Sequence, residues 1–324
     1  MAQAAANETG VKELKKLVIS YGRETVEAYM GHIQDAAEAS VRRLITTIKS
    51  GSFEYRLDEG EVIRVAITPD HEQRSVTIDF TGTSDQLPNN RNAPAAITRA
   101  AVLYVLRCLV ADDIPLNAGC MKPVTLIVPP GSMLNPIYPA AVVAGNVETS
   151  QAVTNAIFAA LDALGSSQGT MNNLTFGNDR YQYYETICSG SSAGPGFDGV
   201  AAVHTHMTNT RMTDPEILEQ RYPVVVDEFS IRRGSGGRGQ WSGGDGICRQ
   251  IRFLETMECS ILSGHRVVRP FGMRGGEPGE IGVNIIMRSD GQQENIGGNA
   301  QRSVQPGDAV VIKSPTAGGF GSDH

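Results

Sequence analysis

Two of the chain's six histidines, His204 and His206, stand two positions apart in "VHTHMTNTRMTDPEILEQRYP", with Asp214, Glu216 and Glu219 close behind. On a strand, residues i and i+2 share a face, so both imidazoles could reach one metal ion; on a helix they would diverge. "AAVHTHMTNT" reads as β, which permits chelation with Asp198, Asp214 or Glu185 as a third ligand. The same imidazoles would serve equally well as grips on a substrate or on neighbouring loops. A second chemistry is suggested by "QGTMNN" and "HMTNTR". Gln168, Thr170, Asn172, Asn173, Thr208, Asn209 and Arg211 gather uncharged donors and acceptors of the kind that read the edge of a cyclic amide. A polar sheet edge or turn network would use the same residues. A third candidate is "GNVETSQ", where a helix start would place Asn146, Glu148 and Thr149 beside unpaired backbone N–H groups, with Asn146 as the cap.

Other motif matches lack their structural context. "GSGGRG" at 234–239 fits GxGxxG, but more glycine and then a strand-like run follow it. A dinucleotide site needs a helix there, so a glycine-rich hairpin is expected. No Walker-type loop occurs. "GSSAG" around Ser192 fits G-x-S-x-G, yet "GPGFDG" cannot begin the helix that a nucleophile elbow requires. Cys120 and Cys188 have no base beside them in sequence and read as small buried hydrophobes.

The elements that must position these groups come next. Over 23–49, Val26, Tyr29, Met30, Ile33, Ala37, Val41, Leu44, Ile45 and Ile48 recur at helical spacing, with Gly22 separating an earlier helix over "VKELKKLVIS" and Gly51 ending the run. "EVIRVAITP" and "RSVTIDFTG" alternate as a hairpin around "DHEQ". A helix is expected over "AAITRAAVLYVLRCLV", a short buried strand at "PVTLIVPP", and a central helix over 145–164 with one apolar face. Beyond 168 only "DPEILEQR" reads as helix. The fold class is therefore α+β: N-terminal helices, mixed sheets around a central buried helix, and a glycine-rich, β-dominated second half. The expected parts are a helical arm at 1–50, an α/β part at 51–164 and a β-rich part at 165–324. A net charge of −7 argues against non-specific nucleic-acid binding. No apolar run approaches the roughly 20 residues that span a bilayer. Five scattered cysteines without CxxC suit a reducing, cytoplasmic compartment. The apolar face of the 23–49 helix is broad enough to need a partner, so a homo-oligomer is expected.

In order along the chain, "YGRETVEAYMGHIQ", "FTGTSDQLPNNRNAP", "RCLVADDIPLNAGC", "AAVVAGNVETSQ", "SQGTMNNLTFGN", "SAGPGFDG", "HTHMTNTRMTDPEILEQRYP", "RRGSGGRGQWSGGDG", "PFGMRGGEPG" and "PTAGGFG" resemble the hydantoinase B/oxoprolinase family across essentially the whole sequence. The resemblance implies ATP-dependent opening of a lactam, 5-oxo-L-proline giving L-glutamate. ATP and its divalent metal would be held mainly by a hydantoinase A-like subunit or domain. A hydantoin hydrolase, a ketone carboxylase subunit of the same family, and a non-catalytic remnant are the alternatives. The resemblance also implies a preceding portion carrying the family's histidine and aspartate metal motifs, so the chain is expected to be a C-terminal piece of the B-type domain. That placement lowers the metal reading of His204 and His206. It raises "GNVETSQ", "QGTMNN" and "HTHMTNTR" to pocket-lining candidates.

Overall fold

A computed structural model describes residues 1–322 of the chain. They group into two compact units, one comprising 1–48, 69–76 and 106–125 and the other the remainder.

In the first unit, helices α1 (Ala2–Tyr21) and α2 (Arg23–Ile45) meet at Gly22, whose φ of 79° lies in the left-handed region open to glycine. α2 buries Ala37, Ser40, Val41 and Ile45 and stops at Ile45, four residues short of the expected end. The front of its apolar face is different: Tyr29, Met30 and Ile33 are exposed, and α1 buries no residue at all. A 3₁₀ turn, Ala118–Met121, packs on α2 so closely that a side chain at Gly119 would collide with the carbonyl of Gln34. Lys122 bonds Asp35 at 3.0 Å, and Ser40 donates to Asp112 at 2.9 Å, where Arg43 also pairs. Cys120 is fully buried in this turn, as a small hydrophobe would be.

The first sheet has the order β1 (Gly51–Arg56), β2 (Val62–Asp70), β3 (Ser75–Asp79), β4 (Val124–Ile127). The β2–β3 hairpin falls where alternation placed it, but β1 was not anticipated. β4 alternates half-buried and exposed residues, so it is not the buried strand expected from its prolines. Helix α3 (Ala95–Leu109) follows the sequence reading. A π-helical turn, Gly145–Thr149, then leads into α4 (Ser150–Ala160). α4 is buried on every side, not on one face. Its polar residues find partners inside: Gln151 Nε2 donates to Thr208 Oγ1 at 2.6 Å, and Asn155 Oδ1 accepts from Ser167 N–H at 3.3 Å. Asn146 does not cap this helix. It lies within the π-helical turn, whose cap position is Ala144.

The rest of the second unit is strands, with one short helix, α5 (Pro215–Arg221), whose N-cap Asp214 accepts from Glu216 N–H at 3.0 Å. The strands are β5 (Asn173–Gly177), β6 (Gln182–Thr186), β7 (Val224–Ile231), β8 (Ile247–Phe253), β9 (Met257–Leu262), β10 (Val283–Met287), β11 (Gln293–Asn295), β12 (Asn299–Val304) and β13 (Ala309–Lys313). They form two antiparallel sheets, β12-β9-β5-β6 and β11-β10-β13-β8-β7. Leu174, Phe176, Ile251, Phe253, Ile261 and Ile312 make one apolar cluster from both sheets. Inside it lies an ion pair, Arg249 Nε to Glu185 Oε1 at 2.8 Å, with both side chains almost wholly buried.

The loop carrying "GSGGRG" joins β7 to β8, so it belongs to a hairpin. The N–H groups of residues 234–237 are already committed. Gly236 donates to Asp245 Oδ1 at 2.8 Å, Gly237 to Ala317 O at 2.9 Å, and Gly243 to Gly237 O at 2.8 Å. Side chains at Gly237, Gly243 or Gly319 would meet neighbouring backbone, which is why this closure is made of glycine. The α+β class is the observed one.

Candidate active site

The site is built around Glu148. The π-helical turn ahead of α4 aims this carboxylate inward, where it is 2 % exposed. One oxygen, Oε1, accepts three hydrogen bonds: from Thr170 Oγ1 at 2.9 Å, from Met171 N–H at 3.1 Å and from Asn173 Nδ2 at 2.8 Å. Thr149 ties the same turn to Arg91, its hydroxyl donating to the Arg91 carbonyl at 2.5 Å. The other oxygen, Oε2, faces Gly264: a Cβ there would stand 3.4 Å from Oε2 and 3.9 Å from Arg91 Nη1. A narrow pocket of about 10 Å³ lies here, walled by Tyr55, Asp58, Arg91, Glu148, Gly169 and His265. That is room for about one water.

Beside Glu148 sits a second pair. His265 Nδ1 lies 2.6 Å from Val268 O, so Nδ1 carries the proton and Nε2 accepts from the Tyr55 hydroxyl at 2.6 Å. Gly169, with φ 67°, makes room for the pair; a Cβ there would be 2.8 Å from the Tyr55 hydroxyl. His265 is itself left-handed at φ 55°, a conformation costly for a non-glycine residue. Asp58 holds the following turn by accepting from the N–H groups of Arg266 at 2.7 Å and Val268 at 2.8 Å. The Arg266 guanidinium donates to Gly264 O at 2.6 Å and to Asn172 and Asn284, each at 2.9 Å. Arg91 donates to Ser263 O at 3.0 Å. Asp58, Arg91 and Arg266 also wall a larger cavity of about 430 Å³, together with Asn295 and Asn299.

Burial dominates the electrostatics. It raises the Glu148 carboxyl to about 7, against the opposing pull of Arg91, Thr170, the Met171 N–H and Arg266. It lowers Arg266 to about 10 and also lowers His265, which therefore stays neutral. A carboxyl poised near neutrality beside a fixed arginine and a small water-sized space can accept and return a proton.

The sequence candidates divide accordingly. Glu148, Thr149, Thr170, Asn172 and Asn173 come together at this centre. Asn146 and Asn173 also border an adjacent cleft of about 640 Å³ with Tyr184, Ser260, Asn299 and Gln301. Gln168, Thr205 and Thr208 form a buried seam with Gln151: Thr205 donates to Gln168 Oε1 at 3.1 Å, and Gln151 Nε2 to Thr205 O at 3.2 Å. Asn209 and Arg211 are exposed and apart from the pocket.

His204 and His206 are not on a strand. Only Val203 makes a bridge, to Ser189, and His206 has φ 52°, so the period of two that would align the imidazoles is broken. His206 packs against Tyr104 and Phe158, and Tyr104 meets its Nδ1 at 3.2 Å. Burial lowers it to about 4. Among the described residues no group of three or more His, Cys, Asp or Glu is arranged to hold a metal. The acids after the histidines serve the fold: Asp214 caps α5, and Glu219 accepts from Val226 N–H at 2.7 Å. Cys188 is buried and its thiol pushed up to about 11, and no helix follows Ser192. Neither is an activated nucleophile.

Sequence reasoning missed Tyr55, Asp58, Arg91, His265 and Arg266. Arg91 lies inside "NNRNAP", a run that stands out only through its resemblance. His265 and Arg266 lie in "SGHRVV", which has no periodicity to read.

Residues 1–323 match the family described as Hydantoinase B/oxoprolinase. The chain belongs to this family. Among curated family relatives, it is 45 % identical over 330 residues to a 5-oxoprolinase of Dictyostelium discoideum, covering 99 % of this chain and 26 % of that protein. It is likewise 45 % identical over 338 residues to 5-oxoprolinase 1 of Arabidopsis thaliana, covering 99 % of this chain and 27 % of that one. It thus spans about a quarter of the length of these relatives. In fold it is similar to an ATP-dependent caprolactamase from Pseudomonas jessenii, with a TM-score of 0.84 at 23 % identity over 99 % of this chain and 60 % of that one. The match to a nucleotide-free acetone carboxylase gives 0.82 at 14 % identity over 96 % of this chain and 50 % of that one. No described helix is long and apolar enough to cross a membrane.

Proposed function

We propose that this chain is the B-type component of an ATP-dependent lactam hydrolase, acting on 5-oxo-L-proline to give L-glutamate together with a hydantoinase A-like part. The observation that carries the reading is the 45 % identity to 5-oxoprolinases over nearly the whole chain. Identity falls to 27 % for a relative named for D-/L-hydantoinase activity. The geometry supports it in kind. A small cyclic amide fits a cavity of about 430 Å³, where Arg91 and Arg266 supply positive charge for a substrate carboxylate or a transferred phosphoryl group.

ATP is assigned to the A-like part because the loop with the GxGxxG spacing spends its donors on Asp245, Ala317 and Gly237. Its divalent metal is assigned there too, because such a metal is held largely by the nucleotide's own phosphates. When bound, ATP would activate the amide oxygen by phosphorylation. This chain's residues would hold the ring, shield it from bulk water and handle protons. Buried, unpaired thiols at Cys120, Cys188, Cys248 and Cys259 support a reducing, cytoplasmic setting.

The test is reconstitution with an A-like partner and the full-length B-type portion, measuring glutamate release against ADP formation. Coupled release from 5-oxo-L-proline is expected. Strong preference for a hydantoin in a substrate panel, or no turnover of any lactam, would overturn the proposal.

A further inference from the structure

We propose that Glu148 is the general base and acid of the reaction, with Oε2 as the reacting atom and Asn173 and Tyr184 as its positioning residues. The role rests on the lactam reading above. Three features carry it.

The first is the asymmetry of the carboxylate. The hydrogen bonds from Thr170, Met171 and Asn173 all fall on Oε1. Oε2 is left facing a pocket with room for about one water. A carboxylate held only to be structurally satisfied would be expected to spread its donors over both oxygens.

The second is the company Oε2 keeps. Arg91 Nη1 converges with it over Gly264, where a Cβ would stand 3.4 Å from Oε2 and 3.9 Å from Arg91 Nη1 and so narrow the gap. The arginine is placed to stabilise negative charge on an oxygen of the reacting group while the carboxylate takes a proton from water.

The third is the line of support running out to the neighbouring cleft. The Tyr184 hydroxyl donates to Asn173 Oδ1 at 2.7 Å, and Asn173 Nδ2 donates to Glu148 Oε1 and to Leu262 O, both at 2.8 Å. Both amide hydrogens and the amide oxygen are thus committed, which fixes the carboxylate's orientation. Tyr184 is about half exposed, so its substitution leaves the core intact. The charged and titratable groups around Glu148 are Arg91, Arg266, His265, Tyr55, Asp58 and Tyr184.

The step balances as a hydrolysis. The water oxygen bonds to the amide carbon, activated on its oxygen by phosphoryl transfer from ATP, and one water proton passes to Oε2. The ring C–N bond then breaks with its electron pair on nitrogen as the new hydroxyl becomes the acyl carbonyl, and the nitrogen receives the proton from Oε2 together with the hydroxyl proton to leave as an ammonium. A second water, deprotonated in the same way, releases phosphate from the acyl phosphate that remains.

Two measurements test this. On the purified chain, isotope-edited infrared spectroscopy of glutamate-labelled protein should show one buried carboxyl ionising near neutral pH, absent in Glu148→Gln. In the reconstituted enzyme, Glu148→Gln should lower kcat by roughly 10²–10⁴-fold, the range for one acid–base group, with KM little changed and the acidic limb of the pH profile lost. Tyr184→Phe should move that limb to higher pH, because Asn173 then supports the ionised carboxylate less well. Wild-type turnover with a Gln variant that keeps its kcat within threefold, or keeps the acidic limb, overturns the Glu148 role alone. A wild-type enzyme that opens no lactam, with the carboxyl still titrating, overturns the lactam reading and the base role with it.

Discussion

Glu148→Gln should make the protein more stable at alkaline pH while it slows the proposed chemistry. Burial raises the folded carboxyl to about 7 from its ordinary value of 4.5. The folded state therefore binds a proton more tightly than the unfolded chain. Its stability is complete below about pH 4.5 and is lost as pH rises, until the folded group has ionised above about 7. Integrating proton linkage between those values, wild-type protein forfeits under 1 kcal/mol by pH 5 and about 3 kcal/mol by pH 8. Glutamine keeps an oxygen for Thr170, Met171 and Asn173 and carries no charge to bury. The variant should match wild type near pH 4.5 and exceed it by about 2–3 kcal/mol at pH 8. Urea denaturation at both pH values measures this. Trp241, the chain's one tryptophan, reports on the unit that contains Glu148. A variant less stable than wild type at pH 8, or a gap that does not change with pH, would refute the reasoning.

Arg249→Met should cost about 3–5 kcal/mol, because it strands Glu185 in the core with only the Tyr183 hydroxyl for company. Adding Glu185→Leu should recover most of that in a denaturation series. Gly169→Ala should destabilise by more than about 1 kcal/mol, since φ is 67° and the methyl would press on the Tyr55–His265 pair. Its amide exchange should quicken around residues 168–173, and unchanged exchange would count against that pair as a fixed element. Gly237→Ala should lower the thermal midpoint through collision with backbone, whereas Gly234→Ala meets no neighbour and strains only its own φ of 74°.

Helical spacing placed α2, α3 and α5 well because each has a solvent face that contrasts with a buried one. α4 lacked that contrast. Ser150, Gln151, Thr154 and Asn155 look like a wet face in sequence, yet they are buried: Ser150 and Thr154 donate to carbonyls one turn earlier, Gln151 meets Thr205 and Thr208, and Asn155 meets Ser167. In α2 the spacing was right, and the face is covered only from Ala37 onward, since periodicity shows that a face is apolar without showing what covers it. The strand reading of the histidine pair failed for a different reason. An alternation of two is meaningful only in extended backbone, and one left-handed residue at His206 cancels it.

The candidate centre was half legible. Glu148, Thr170 and Asn173 were singled out as polar groups near a helix start and in a polar run, and they do converge. Their partners could not be read, because Tyr55 and His265 are 210 residues apart and no local pattern joins them. Glycine is the signal that separates this centre from the rest of the second half, once its neighbours are known. In the loop after β7, glycines are packed by backbone: Gly237, Gly243 and Gly319 each face carbonyls or amides, and the density of glycine there serves closure of the chain. Gly169 and Gly264 face side chains instead, those of His265 and Tyr55 in one case and Glu148 and Arg91 in the other. A glycine that meets backbone is explained by packing alone. A glycine that leaves room for a titratable side chain keeps a space beside that group: Gly169 and Gly264 open on the water-sized pocket, and Gly282, which faces the Arg266 guanidinium, opens on the larger cavity beside it.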